Sequence, residues 1–232
     1  KPEFDETLVL ILCPNRELAH QTYAVIEAIS KYVTDLKICK AIGGYKNIRE
    51  ESDLLLNRPQ IVIGTMGRVM QQTVDLKNLI TDQIRLVIID EADEMLKEQQ
   101  HKDTFRDQIG FLYDKYINPL CQSVFVSATY TSDVIETSDK ILREDNTLKI
   151  LSEIEDVTLN GIKQYYVQCL NDEQKECVLD DLYKTISVTQ SVIFVNTRRK
   201  AYYLSEHMRK NKWIVSVIHK DLTQSERDQV VR

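Results

Sequence analysis

The sequence predicts an α/β protein with two parallel-sheet domains joined by a short linker, both domains incomplete within its 232 residues. Three observations carry this. Short apolar runs alternate with helical patterns almost throughout, as βαβ units require. The runs are continuous rather than alternating apolar with polar, which suits strands covered on both faces. Between residues 152 and 160 the pattern lapses into S-E-I-E-D-V-T-L-N, polar and weakly periodic, which places a linker there between domains 1–151 and 161–232.

Taken in order, Leu8 to Leu12 forms the first strand. C-P-N-R-E-L-A-H-Q follows, with Leu18, Val25, Ile26 and Ile29 recurring at helical spacing. Asn15 is a suitable N-cap and Glu17 an early-turn acid. Ile38 to Ile42 is the second strand, closed by Gly43-Gly44, a pair that turns the chain and lets a backbone approach a phosphate. Ile61 to Ile63 is the third, leading into Gly64-Thr65-Met66-Gly67-Arg68.

The run R-L-V-I-I-D-E-A-D-E-M, Arg85 to Met95, is the most informative. Leu86 to Ile89 is an apolar strand, and Asp90, Glu91 and Asp93 stand at its carboxyl end. In open α/β sheets that end faces the ligand crevice. Mg²⁺ bound to substrate phosphates needs only one or two carboxylates there, and a neighbouring acid can orient an attacking water. The plainer alternative is that these acids simply open a helix, where carboxylates are favoured. Lys97 to Phe105 reads as a polar surface insertion, and the isolated His20 and His101 have no catalytic company. Ser123 to Val126 is another buried strand, closed by Ser127-Ala128-Thr129, whose hydroxyls could hydrogen-bond the acidic site; Leu148 to Leu151 is the last strand of the first domain.

Beyond the linker, Gly161 opens the β-rich I-K-Q-Y-Y-V-Q-C-L, with Ile162, Gln164, Tyr166 and Gln168 on one face. Cys177 to Ile186 is an amphipathic helix, and Ser191 to Val195 a buried strand leading into Asn196-Thr197-Arg198-Arg199-Lys200. Basic residues at a helix start oppose the macrodipole, which favours an anionic ligand over a merely solvated turn. Trp213 to Ile218 is another strand, ending in His219-Lys220-Asp221, and Thr223 with Glu226 forms a capping box.

Composition bounds the partners. Hydrophobic content of 43% and charged content of 28% describe an ordinary globular chain without a membrane-length apolar run. The net charge of −6 argues against bulk electrostatic binding of nucleic acid, though not against a groove using a few arginines and backbone amides. Five scattered cysteines without C-x-x-C spacing fit a reducing compartment rather than a zinc site.

Together the motifs resemble the DEAD-box ATP-dependent RNA helicases, over nearly the whole chain. Asp90-Glu91-Ala92-Asp93 matches the name-giving motif. Pro14-Asn15-Arg16-Glu17 resembles P-T-R-E, with Asn for Thr, and Thr65-Met66-Gly67-Arg68 resembles T-P-G-R, with Met for Pro. Ser127-Ala128-Thr129, Asn196-Thr197-Arg198, and Gln224 with Arg227 follow in the family's order; Lys220 stands where relatives carry Gly. The linker and second-domain runs are similar to the initiation factor 4A branch, whose exon-junction sibling shares most of them.

The resemblance implies two RecA-like domains that close on ATP and RNA. It implies Asp90, Glu91, Asp93, Ser127 and Thr129 as the catalytic group, with Asp90 and Glu91 holding Mg²⁺ through water. It implies RNA contacts from Pro14, Asn15, Arg16, Glu17, Gly43, Gly44, Thr65, Gly67, Arg68, Asn196, Thr197, Arg198, Gln224 and Arg227. Also implied are single-stranded or duplex RNA as partner, a scaffold of the initiation factor 4G type, a monomer, no membrane, and a cytoplasmic setting, nuclear for the exon-junction type. The adenine-reading motif, a G-x-x-x-x-G-K-[ST] loop and the late arginine-finger motifs are absent from the sequence. The chain therefore reads as a truncated piece that binds ATP poorly and is inactive alone. An ATP-gated RNA clamp and a catalytically dead interaction module are the alternatives.

Overall fold

A computed structural model describes residues 5–43, 48–98, 104–142, 146–151, 161–187, 189–219 and 221–231. The chain divides into two compact units, Lys1–Leu151 and Ser152–Arg232.

In the first unit five strands, β1 (Val9–Cys13), β2 (Ile38–Ala41), β3 (Ile61–Thr65), β4 (Leu86–Asp90) and β5 (Gln122–Val126), form one sheet in the order β2-β3-β1-β4-β5. Every pairing is parallel, with Cys13 opposite Thr65, Leu12 opposite Ile89 and Asp90 opposite Val126. Leu10, Leu12, Val62, Val87 and Ile89 are fully buried, as continuous apolar strands covered on both faces require. Each such side chain contributes about 1.5–3 kcal/mol of burial free energy.

The helices α1 (Arg16–Ile29), α2 (Ile48–Leu56), α3 (Met66–Met70), α4 (Ala92–Leu96), α5 (Phe105–Lys115) and α6 (Ser132–Ile141) link and flank the strands. The topology decides where the chemistry sits. From β1 the chain moves outward to β2 and returns through β3, whereas from β4 it moves the other way to β5. The carboxyl ends of β1 and β4 are thus the point where strand order reverses. Thr65 and Asp90 end their strands, and Asn15, Gly43 and Ser127 follow theirs, all on this one edge.

Several sequence expectations need correction. Leu148 to Leu151 forms no strand; Leu148 and Ile150 are 84% and 86% exposed, and β5, expected to be buried, is an edge strand with Val124 and Val126 exposed. On α1, Ile26 packs against the core, but Val25 and Ile29 face solvent, so the expected apolar stripe is only half used. The polar segment after Lys97 is not wholly a surface insertion, because Thr104 is buried and caps α5 in a box with Asp107; residues 99–103 lie outside the described residues, as does the linker at 152–160.

The second unit contains α7 (Asp172–Thr185), α8 (Arg198–Lys210) and α9 (Gln224–Val231). Asn171 and Thr197 cap α7 and α8, and the capping box of Thr223 with Glu226 forms as the sequence indicates. Lys200 bridges to Asp172 and Glu176, and His207 to Asp180 at 2.9 Å, tying α8 to α7. The predicted strands at 162–170, 191–195 and 213–218 are not assigned among the described residues, and Tyr166, Phe194 and Ile214 are exposed rather than buried. A strand is defined by its ladder, and an apolar run without a hydrogen-bonded neighbour remains coil whatever its propensity.

Candidate functional site

The acidic turn after β4 is held by the strand beside it. The backbone amide of Asp93 donates to Ser127 Oγ at 3.3 Å, and the Thr129 hydroxyl donates to the Asp93 carboxylate. The Asp93 and Glu94 segment is thereby pinned to the loop leaving β5. Partial burial pushes the Asp93 carboxyl up, but bonds from Thr129, Ser127 and the backbone amides outweigh it and leave the group below the ordinary carboxylate value. Tyr130, unremarked in the sequence, lies close by; burial first, and then the charge of Asp93, push its hydroxyl up.

Replacing Thr129 with Val is expected to move the Asp93 titration back up toward the ordinary value, as carboxyl-carbon NMR would read. A depressed folded-state value means stability that is present above the unfolded value and lost as pH falls through the folded one. The variant should lose less stability on acidification across that window than the parent.

Asp90 and Glu91 sit at the mouth of the edge, both half-buried. The Glu91 amide donates to Asp90 Oδ1 at 3.0 Å, and the Glu91 backbone lies in the left-handed region with φ 50° and ψ 54°. A non-glycine residue there costs about 1–3 kcal/mol and persists only where its surroundings hold it. Cys13, near Asp90, is no nucleophile: burial pushes its thiol up to about 11, with Thr22 and the Asp90 charge as smaller influences.

On the other side of the reversal point, Asn15 Oδ1 accepts the Leu18 amide at 2.9 Å and caps α1, next to Pro14 and Glu17. The Arg16 guanidinium lies against Gly43, where an added Cβ would stand 3.5 Å from Nη2. Gly44 lies outside the described residues. Thr65 makes no capping bond from its side chain, and Gly67 is exposed with open space around it. Arg68 does not join them. Its side chain is 8% exposed and pairs inward with Glu51 of α2 at 3.2 Å, while Nη1 donates to Gln71 at 2.7 Å.

In the second unit Asn196 and Thr197 precede α8, where Thr197 Oγ1 accepts the Lys200 amide at 3.2 Å. Arg198 forms an ion pair with Asp221, and Arg227 Nε donates to the Leu222 carbonyl at 3.3 Å. The start of α8 is thus tied to the segment 221–222, which Arg227 of α9 also holds. Nothing is described for the Gln224 side chain or for Lys220.

The carboxylates of Asp90 and Glu91 fit a hard cation held largely by water and substrate phosphate. Among the described residues no cluster of three or more His, Cys, Asp or Glu side chains could hold a metal unaided. Bound Mg²⁺ would neutralise charge on transferring phosphates. The sequence contains no G-x-x-x-x-G-K-[ST] run.

A parallel sheet whose order reverses at β1 and β4, with acids at the end of β4 and hydroxyl bonds from the loop after β5, presents a switch point of the kind at which open α/β sheets bind ligands. A family model described as DEAD/DEAH box helicase matches residues 1–137. The chain belongs to the DEAD/DEAH box helicase family. It is 41% identical over 223 residues to the "ATP-dependent RNA helicase eIF4A" of Kluyveromyces lactis, covering 96% of this chain and 54% of that protein. The protein of the same name from Aspergillus clavatus is 39% identical over 231 residues, covering 100% of this chain and 55% of its own. The chain thus spans about half the length of the curated relatives it matches. Among solved structures, S. cerevisiae Dbp5 bound to RNA and ADP BeF3 superposes with a TM-score of 0.80 at 30% identity, over 100% of this chain and 56% of that one. The fold is α/β of the RecA-like kind found in these helicases, and the chain is initiation-factor-4A-like within the family.

Proposed function

We propose that the protein is an RNA helicase that couples ATP binding and hydrolysis to closure on RNA and local separation of a short duplex. The observation that carries this is the latch of Ser127 and Thr129 on Asp93 beside Asp90 and Glu91. It ties an acidic strand-end site to the loop leaving the next strand, so a change at the phosphate site has a mechanical outlet. In this reading Asp90 and Glu91 hold Mg²⁺ through water, and Glu91 orients the attacking water. Asn15, Arg16, Gly43, Thr65 and Gly67 meet RNA phosphates and 2′-hydroxyls without reading bases. Asn196, Thr197, Arg198 and Arg227 would serve the second unit's share of the same strand.

Sequence-independent RNA contact also agrees with the net charge of −6, since a few placed donors replace a bulk basic surface. A role in translation initiation, a cytoplasmic setting and a scaffold of the initiation factor 4G type go with the similarity to the eIF4A proteins. No helix among the described residues is long and apolar enough to cross a membrane. The test is strand separation of a short RNA duplex by the protein at the full length of its relatives. ATP-dependent separation is expected; RNA that binds and stays paired while ATP is held would instead favour a clamp.

A further inference from the structure

Arg68 was expected among the phosphate contacts, yet it is folded into the protein. Its Nε lies 3.2 Å from Glu51 Oε1, and its Nη1 donates to Gln71 at 2.7 Å. Glu51 is itself only 5% exposed and accepts from Gln72 Nε2 at 2.7 Å, while Gln72, wholly buried, accepts from Asn78 at 3.0 Å. Burial pushes the Glu51 carboxyl up, opposed by Gln72, by the Arg68 charge and by the Ile42 amide. The network is incomplete: Arg68 Nε is near enough for an ion pair but not aligned for a hydrogen bond, and Glu51 Oε2 has no partner. A buried ion pair so arranged is poor value for stability alone, because desolvation cancels most of its attraction. Its geometric consequence is specific. It fastens the turn Thr65–Gly67 and the π-helical turn Gln71–Asp75 to α2, at the edge where Gly67 stands open to solvent.

We propose that Glu51 and Arg68 are paired positioning residues, which set the Thr65–Gly67 turn so that its hydroxyl and amides meet an RNA phosphate, while Arg68 itself does not touch the RNA. This rests on the reading of the sheet edge as an RNA surface. An arginine moved out to a phosphate would strand Glu51 as an unpaired buried charge, a strongly unfavourable exchange.

The test measures the affinity of the protein, at the full length of its relatives and with a non-hydrolysable ATP analogue, for poly-uridine across a salt series. Arg68→Lys keeps the charge but loses the planar fork that spans Glu51 and Gln71. Glu51→Gln keeps the shape and loses the charge. Each is expected to weaken RNA binding about tenfold, and the double variant no further, since both break one unit. The slope of log affinity against log salt should not change, because no phosphate contact has been removed. A slope shallower by about one charge in an Arg68→Ala variant would make Arg68 a direct contact and overturn the proposal. Tighter binding by Glu51→Gln would also overturn it, by making Glu51 a competitor that withholds Arg68. Failure of the parent to bind poly-uridine would instead count against the RNA surface itself.

Discussion

In the protein at the full length of its relatives, replacing Glu91 by Gln is expected to lower RNA-stimulated ATP hydrolysis by about 10²–10⁴-fold while leaving ATP binding in place. Gln keeps the length and the shape of Glu but cannot orient a water as a carboxylate does. The backbone argues that the position is built for this. Glu91 is held at φ 50°, its amide on Asp90 Oδ1, at the turn where β4 becomes α4. The loss should fall on kcat, with KM for ATP little altered, because the group acts on the water rather than on the nucleotide. Wild-type turnover by this variant would remove Glu91 from the water-orienting role.

Replacing Gly64 by Val is expected to destabilise the first unit by about 3 kcal/mol through overpacking. Gly64 lies on β3 opposite Ala41, and an added Cβ would stand 2.6 Å from the Ala41 carbonyl oxygen and 2.6 Å from Val69 Cγ2. The carbonyl is main chain of β2, which is paired to β3, so it can move away only if that strand shifts with it. The strand pair β2–β3 would have to open, carrying Gly43 and Thr65 with it. Urea unfolding should show a lower midpoint at unchanged slope. Gly67→Ala, one turn further on, meets nothing within 4 Å and should leave the midpoint near the parent's. A Gly64→Val midpoint equal to the parent's would mean that β2 and β3 are spaced more loosely than described.

What the sequence revealed and what it hid follow from the physics of each element. Leu86 to Ile89 was legible as a strand because burial on both faces leaves an unbroken apolar run, and Asp90 followed it at the sheet edge as expected. Asn15 was legible as a cap because its side chain competes for local amides in any context. The second unit was not legible in the same way. Val192 and Phe194 have the residues of a strand, but strand formation is a property of neighbours, and here they are 79% and 92% exposed. Nor could Arg68 be placed. An arginine after a strand looks the same whether it reaches out to an anion or turns in, and only Glu51, on another element, decides between them. Gly64 carried no hint either, since its role is set by how closely a partner strand approaches.

The most direct test is RNA-stimulated ATP hydrolysis, comparing these 232 residues with the protein at the full length of its relatives. The expected result is a silent shorter chain beside an RNA-stimulated longer one, because Asp90 and Glu91 need a phosphate cradle that the sequence does not contain. Silence in both, with both folded, would contradict the helicase reading and favour an interaction module. Hydrolysis by the shorter chain alone would contradict the placement of the phosphate site.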